Sequence, residues 1–199
     1  MRRFAILGQK ANADGNFILD DVAGTSGRLD VLLRCIRAAM LVSHGLRADV
    51  VLYLVLGGGP RAPRVVRFES ATVKYLRPDE RTLAVLMKKL LVLDNGADGF
   101  ASVRPGIAIA SGGLEMVLRD AESARVIVLD QGAPDIRETS LAGDDLLFVL
   151  GDHLGITDAD RALLDGAQSI GIGPVSIHAD DAVAVVWNEL DRDEGRCRP

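Results

Sequence analysis

Apolar residues along the chain fall into short continuous runs and into longer stretches where they recur every three or four positions. The first kind predicts buried strands and the second amphipathic helices, because side chains alternate across a strand but wind around a helix. RFAILG (residues 3–8) and DVVLYLVLGGGP (residues 49–60) are runs of the first kind. Between them Leu29, Leu32, Leu33, Ile36 and Met40 mark a helix that a Gly-Thr-Ser segment starts and Gly45 ends. RVVRFE and ATVKYL predict two short strands joined as a hairpin. RPDERTLAVLMKKLLVL has Pro-Asp-Glu at its head and lysines towards its end, the polarity that a helix dipole favours. After the soft segment DNGADGFASVRPG the pattern resumes with strand IAIA, helix GGLEMVLRDA and strands RVIVLD and LLFVLGDH. A capped helix ITDADRALLDGA, a strand SIGIG and a closing helix HADDAVAVVWNELDR complete it, and Asp193–Pro199 is expected to be a frayed tail. All-apolar strands alternating with helices predict an α/β domain built on a largely parallel sheet flanked by helices.

Composition narrows the class. Of 199 residues 48% are hydrophobic and only 4% aromatic, so the core must be aliphatic. No apolar run approaches the roughly 18 residues of a membrane span. The run after Arg2 and Arg3 is too brief for a secretion signal. Cys35 and Cys197 form no paired motif, and with three histidines no metal site is expected. A reducing cytoplasm is the expected location. The net charge of −5 conceals an asymmetry: residues 1–100 carry 15 Lys/Arg against 10 Asp/Glu, residues 101–199 carry 8 against 18. A basic face is therefore sought in the first half, among Arg61, Arg64, Arg67, Lys74, Arg77 and Arg81. Being three apart on a strand, Arg64 and Arg67 are expected on opposite faces. The acidity elsewhere also fits a solubility requirement such as a saline cytoplasm.

Three strand ends in the second half finish in glycine or polar residues: VIVLDQGAPD (126–135), FVLGDHLG (148–155) and SIGIGPVS (169–176). Ligands of open α/β sheets sit at such carboxyl ends, where main-chain groups can read a base edge and a ribose. The turns are not a triphosphate site, since GxxxxGK[ST] is absent, nor a dinucleotide site, since GxGxxG needs glycine where Ser176 stands.

The segment FVLGDHLGITDADRALLDGAQSIGIGPVSIHADDAVAVVWNELDR resembles the C-terminal signature of the archaeal tRNA pseudouridine-54 N1-methyltransferases, the TrmY family of the SPOUT class. GTSGRLDVLLRCIRAAMLVSHGLRADVVLYLVL and VVRFESATVKYLRPDERT resemble the family's N-terminal blocks, so the resemblance spans nearly the whole chain. It implies an α/β fold whose C-terminal segment is threaded into a trefoil knot, S-adenosyl-L-methionine bound among the knot loops, tRNA as substrate and a homodimer. It divides the single domain 1–199 into a basic substrate-facing half (1–100), a cofactor-binding knotted half (101–192) and the tail (193–199). By position, Leu129, Leu150, Gly151, Ile170, Gly171, Ile172, Gly173, Pro174 and Val175 are expected to form the cofactor pocket. Gly171 and Gly173 are expected to let the backbone approach the cofactor, with Pro174 fixing the turn.

Methylation of N1 requires that its proton leave as the methyl arrives. The resemblance makes Asp30 the expected acceptor and Arg28 the group that bears charge developing on the ring oxygens. A similar Arg-x-Asp pair occurs in the related ribosomal pseudouridine N1-methyltransferases. The plainer reading has Asp30 satisfying first-turn N–H groups beside a surface arginine. Arg61, Arg64, Arg67, Arg77 and Arg81 are expected to track RNA phosphates while a flipped base is read in a pocket. His44 reads as structural, and Asp152, beside His153, as able to orient a loop or a substrate. Two further readings stay open: the same chemistry on pseudouridine in another RNA such as rRNA, and an inactive dimer that binds cofactor and RNA.

Overall fold

A computed structural model describes residues 1–94, 99–141, 143 and 145–196. The first half contains β1 (Arg2–Asn12), α1 (Val22–Thr25), α2 (Leu29–Met40), β2 (Leu41–Val42), β3 (Gly45–Leu46), β4 (Val50–Gly58), β5 (Arg64–Glu69) and α3 (Glu80–Leu91). The second half adds β6 (Ala101–Arg104), β7 (Ile107–Ser111), α4 (Leu114–Asp120), β8 (Arg125–Leu129), β9 (Leu146–Gly151), α5 (Asp158–Leu163), β10 (Gln168–Ile170) and α6 (Ala179–Arg196). Eight strands form one sheet in the order β10-β8-β9-β1-β4-β5-β7-β6. The five from β10 to β4 run parallel, and β5, β7 and β6 continue the sheet antiparallel.

Both faces of the sheet are covered, which explains the apolar runs. Phe4 and Ile6 of β1 join α2, α3 and α6 on one side. Ala5 and Leu7 join α4 on the other. A strand buried on both faces has no reason to alternate. Phe4 stacks on Phe148 of β9 at 5.3 Å between ring centroids and meets Trp187 of α6 at 5.5 Å. The Trp187 indole donates to the Ala39 carbonyl at 3.1 Å, locking α6 onto the end of α2.

The structure departs from the pattern reading in four places. β1 runs on to Asn12, because after a register shift Asn12 pairs with Gly58 of β4 and carries the ladder past the apolar run. ATVKYL is not a strand: β5 pairs with β4 and β7 instead, and 70–79 form turns. Part of the soft segment becomes β6, paired with β7, while residues 95–98 lie outside the described residues. Residues 193–196 of the expected tail continue α6, and 197–199 lie outside the described residues.

Candidate active site

Because β8, β9 and β10 are parallel, their carboxyl ends meet on one edge of the sheet. The loop 130–136 there wraps against the end of β10. Asp130 N–H donates to the Ile170 carbonyl (3.0 Å), Gly171 N–H to Pro134 (2.8 Å) and Ile136 N–H to Gly171 (2.8 Å). Gly171 is needed for this contact, since a Cβ on it would lie 2.6 Å from the Ala133 carbonyl oxygen.

Over these ends lies a cavity of ≈ 200 Å³. Of the nine residues expected from position, Leu129, Leu150, Gly151, Ile172, Gly173 and Val175 line it. Ile170, Gly171 and Pro174 do not: Ile170 is fully buried beneath it and Gly171 serves the loop contact. The wall is completed by Asp130, Gln131, Asp152, Gly155, Ile156, Arg161, Ser176, Ile177, Ala179 and Ala182. Several of these follow the strand ends directly, and that adjacency was the available signal. Arg161 could not be found that way, because it arrives from α5 to bond Asp130 at 2.9 Å. The wall is apolar through Leu129, Leu150, Ile156 and Ile172, and its cation, Arg161, is already paired. Such a lining suits a flat ring and hydroxyl groups rather than a polyphosphate.

Asp152 organises the neighbouring turn. It accepts from Gln9 N–H (3.1 Å) and Leu154 N–H (2.8 Å), and its side chain is fully shielded, so it orients a loop.

A second cleft, of ≈ 710 Å³, adjoins the cavity and shares Gly151, Asp152, Gly155, Ser176, Ile177 and Ala179 with it. Arg28, Val31, His153, Leu154, His178 and Asp181 line its other side. Arg28 is placed there by a tight turn. Gly27 (φ +65°) presses on β1, where a Cβ would meet the Lys10 carbonyl oxygen at 1.8 Å. The Ser26 hydroxyl caps α2 by accepting from Leu29 N–H at 3.0 Å. Arg28 itself holds φ +68°, a left-handed conformation that costs a non-glycine residue about 1 kcal/mol or more.

Asp30 stands behind Arg28. The residue is 4% exposed, and its carboxylate accepts from Arg28 (Nε 2.9 Å, Nη2 3.2 Å) and Arg34 (Nη1 3.0 Å). Burial acts to raise its pKa, but the bonds from Arg28 and Arg34 outweigh that and hold it below the usual carboxylate range. Its hydrogen bond likewise raises the Arg28 guanidinium. Arg34 continues to Asp180 at the head of α6 (3.5 Å) and to Glu80 of α3 (3.8 Å).

The expected phosphate-tracking arginines are mostly spoken for. Arg64 is 1% exposed and donates to the carbonyls of Ala13 (2.9 Å), Leu91 (2.7 Å) and Leu93 (3.0 Å). Arg61 donates to Leu91 and pairs with Asp94 at 3.0 Å. Both therefore satisfy the orphan carbonyls at the end of α3. Arg67 points to the other face, as the spacing required, where it pairs with Asp120 (2.6 Å) and Glu69 (2.8 Å) and covers Phe100. Arg77 and Arg81 are exposed, Arg81 pairing with Asp20 at 2.8 Å. Among the described residues no cluster could hold a metal ion, and no helix is long and apolar enough to cross a membrane.

Comparison with known proteins bears on this arrangement. The chain is 42% identical over 195 residues to a tRNA (pseudouridine(54)-N(1))-methyltransferase of Halobacterium salinarum, covering 96% of each chain. It is 40% identical over 196 residues to one of Methanococcoides burtonii, again covering 96% of each. The crystal structure of Archaeoglobus fulgidus Nep1 bound to S-adenosylhomocysteine superposes with a TM-score of 0.68 at 13% identity, covering 98% of this chain and 99% of that one. That likeness shows the fold, the SPOUT-type α/β arrangement expected from the sequence. The family model for SAM-dependent RNA methyltransferases matches residues 1–195, and the chain belongs to that family.

Proposed function

We propose that the protein methylates N1 of pseudouridine 54 in tRNA, with S-adenosyl-L-methionine held in the cavity over β8, β9 and β10. The observation that carries this reading is the common wall between that cavity and the Arg28 cleft, since donor and acceptor must meet. The named activity of the relatives supports the substrate and the position. When bound, the cofactor supplies a methyl group on a positively charged sulfur, which needs no phosphate cradle. Leu129, Leu150 and Ile172 would pack its rings, and the loop main chain and Asp130 would take its polar edges.

The chain's own groups serve the acceptor. Arg28 faces the cleft and offsets negative charge developing on the ring as N1 loses its proton. Asp30 is a positioning residue that holds the Arg28 guanidinium in place. Its lowered pKa weakens it as a base. Asp181 lines the same cleft with its side chain 65% exposed, 3.8 Å from His178, and is the accessible acceptor for the proton.

Three further elements belong to the reading. A homodimer is supported by Leu154 (48% exposed), Val175 (68%) and Ile177 (43%), apolar side chains at the mouth of the site that a second copy would cover. Threading of the C-terminal segment is supported by the bonds that loop 130–136 makes to Ile170 and Gly171. The substrate implies a cytoplasmic enzyme. The test is mass spectrometry of nucleosides from tRNA incubated with protein and labelled cofactor. Methylpseudouridine is expected from tRNA carrying pseudouridine 54. None is expected from a transcript with uridine there, whose N1 is occupied by the glycosidic bond. Cofactor binding with no methylated product would overturn the reading.

A further inference from the structure

The segment between β5 and α3 is pinned at both ends and strained between them. At one end Val73 is buried, its N–H donates to the Glu69 carbonyl (3.0 Å), and its backbone packs so closely on Gly106 that a Cβ there would lie 2.2 Å away. At the other end Asp79 caps α3 by accepting from Thr82 N–H at 2.8 Å. Between the anchors Tyr75 adopts φ +59° and is 89% exposed. An aromatic side chain in that conformation gains nothing from its own fold, and such strain gathers where a ligand is met. The exposed cations flanking it are Lys74 and Arg77, while Leu76 is half-buried. The exposed acids further on, Asp79 and Glu80, are engaged at the head of α3 by Thr82 N–H and Arg34, and Arg81 pairs with Asp20. A protein partner would call for an apolar patch there; a ring among cations matches a nucleobase between phosphates.

The position relates this ring to the active site. α3 begins at Glu80, whose carboxylate lies 3.8 Å from Arg34, the residue that bonds Asp30. Five residues of fully extended chain span at most about 18 Å, which bounds the distance from Tyr75 to Glu80. An RNA loop that turns out one base for methylation exposes the faces of nearby bases, and a rigid ring within that reach can cap one of them. We propose that Tyr75 is a stacking platform for an unpaired base a few nucleotides from the methyl acceptor. The inference rests on the tRNA-methyltransferase reading above.

The test compares wild type with Tyr75→Ala, Tyr75→Leu and Tyr75→Phe on tRNA carrying pseudouridine 54. Filter binding gives RNA affinity, calorimetry gives S-adenosylhomocysteine affinity, and sedimentation gives the assembly state. The alanine and leucine variants should bind RNA roughly 5- to 150-fold more weakly, and the phenylalanine variant about as wild type, because stacking needs the ring and not the hydroxyl. Cofactor affinity and sedimentation should not change. Wild-type RNA affinity in the alanine or leucine variant, beside an active wild type, would overturn the stacking role alone. A change of assembly state in the alanine variant would also overturn it, by assigning the ring to a second copy. A wild type that methylates no RNA would remove the parent reading together with this one.

Discussion

At the scale of single residues, the GRLDV turn divides labour between two neighbours. Left-handed backbone at Arg28 presents its guanidinium to the cleft, and the buried Asp30 carboxylate holds it there from behind. Arg28→Ala should lower single-turnover methyl transfer by about 10²- to 10³-fold with cofactor affinity unchanged, as for loss of a preorganised donor. Asp181→Asn should slow the same step by roughly 10²-fold or more, as for loss of a general base. Asp30→Asn should be the less stable variant in thermal melts, since it leaves two guanidiniums short of a charge. The opposite ranking, with Asp181→Asn fully active, would return the base to Asp30. Gly171 shows a different logic, because it touches no cavity yet sets the loop that forms one. Gly171→Ala should lower Tm and weaken S-adenosylhomocysteine binding together, as read by calorimetry, because the added Cβ pushes on the Ala133 carbonyl.

At the scale of elements, helix ends decide which cations are available. The last carbonyls of α3 have no partners within the helix, and Arg61 and Arg64 supply them. Arg64→Met should therefore cost about 3 kcal/mol in urea unfolding, for carbonyls left unsatisfied in the interior, while RNA affinity of the folded fraction stays at wild type. α6 is held at both ends of its contact with α2, by Trp187 on the Ala39 carbonyl and by Asp180 near Arg34. Since Ala179 and Ala182 of α6 also line the cavity, the helix that closes the cavity is braced against the helix that carries Asp30.

At the scale of the whole molecule, carboxylates held in ion pairs set the response to acid. Asp145 is held below the usual carboxylate range first by its bond from Arg3, against an opposing effect of burial, and Asp30 by its two arginines. Both groups have folded pKa values depressed relative to the unfolded chain. Their contribution is therefore complete above an unfolded pKa of about 4 and is lost as pH falls through the folded values. Urea midpoints should fall below about pH 4, and less steeply in Asp30→Asn, which no longer titrates there.

The periodicity of apolar residues sufficed for most of the order of strands and helices, ATVKYL and β6 excepted, and for the parallel part of the sheet, while glycine and polar residues after three strand ends marked the loops over which the cavity opens. Those are preferences each residue holds alone, for burial and for one backbone shape, so they are written locally. Six of the nine positions that the resemblance assigned to a cofactor pocket line the cavity, at or just beyond the ends of strands. Which arginines remain free, why Gly171 must be bare and why 70–79 turn rather than pair were decided by the tertiary structure. Each depends on a partner far along the chain: Leu91 and Leu93 for Arg64, Ala133 for Gly171, β7 for β5. Burial is a property of one side chain, whereas satisfying a carbonyl or fitting against one requires two groups to meet, and only folding brings them together.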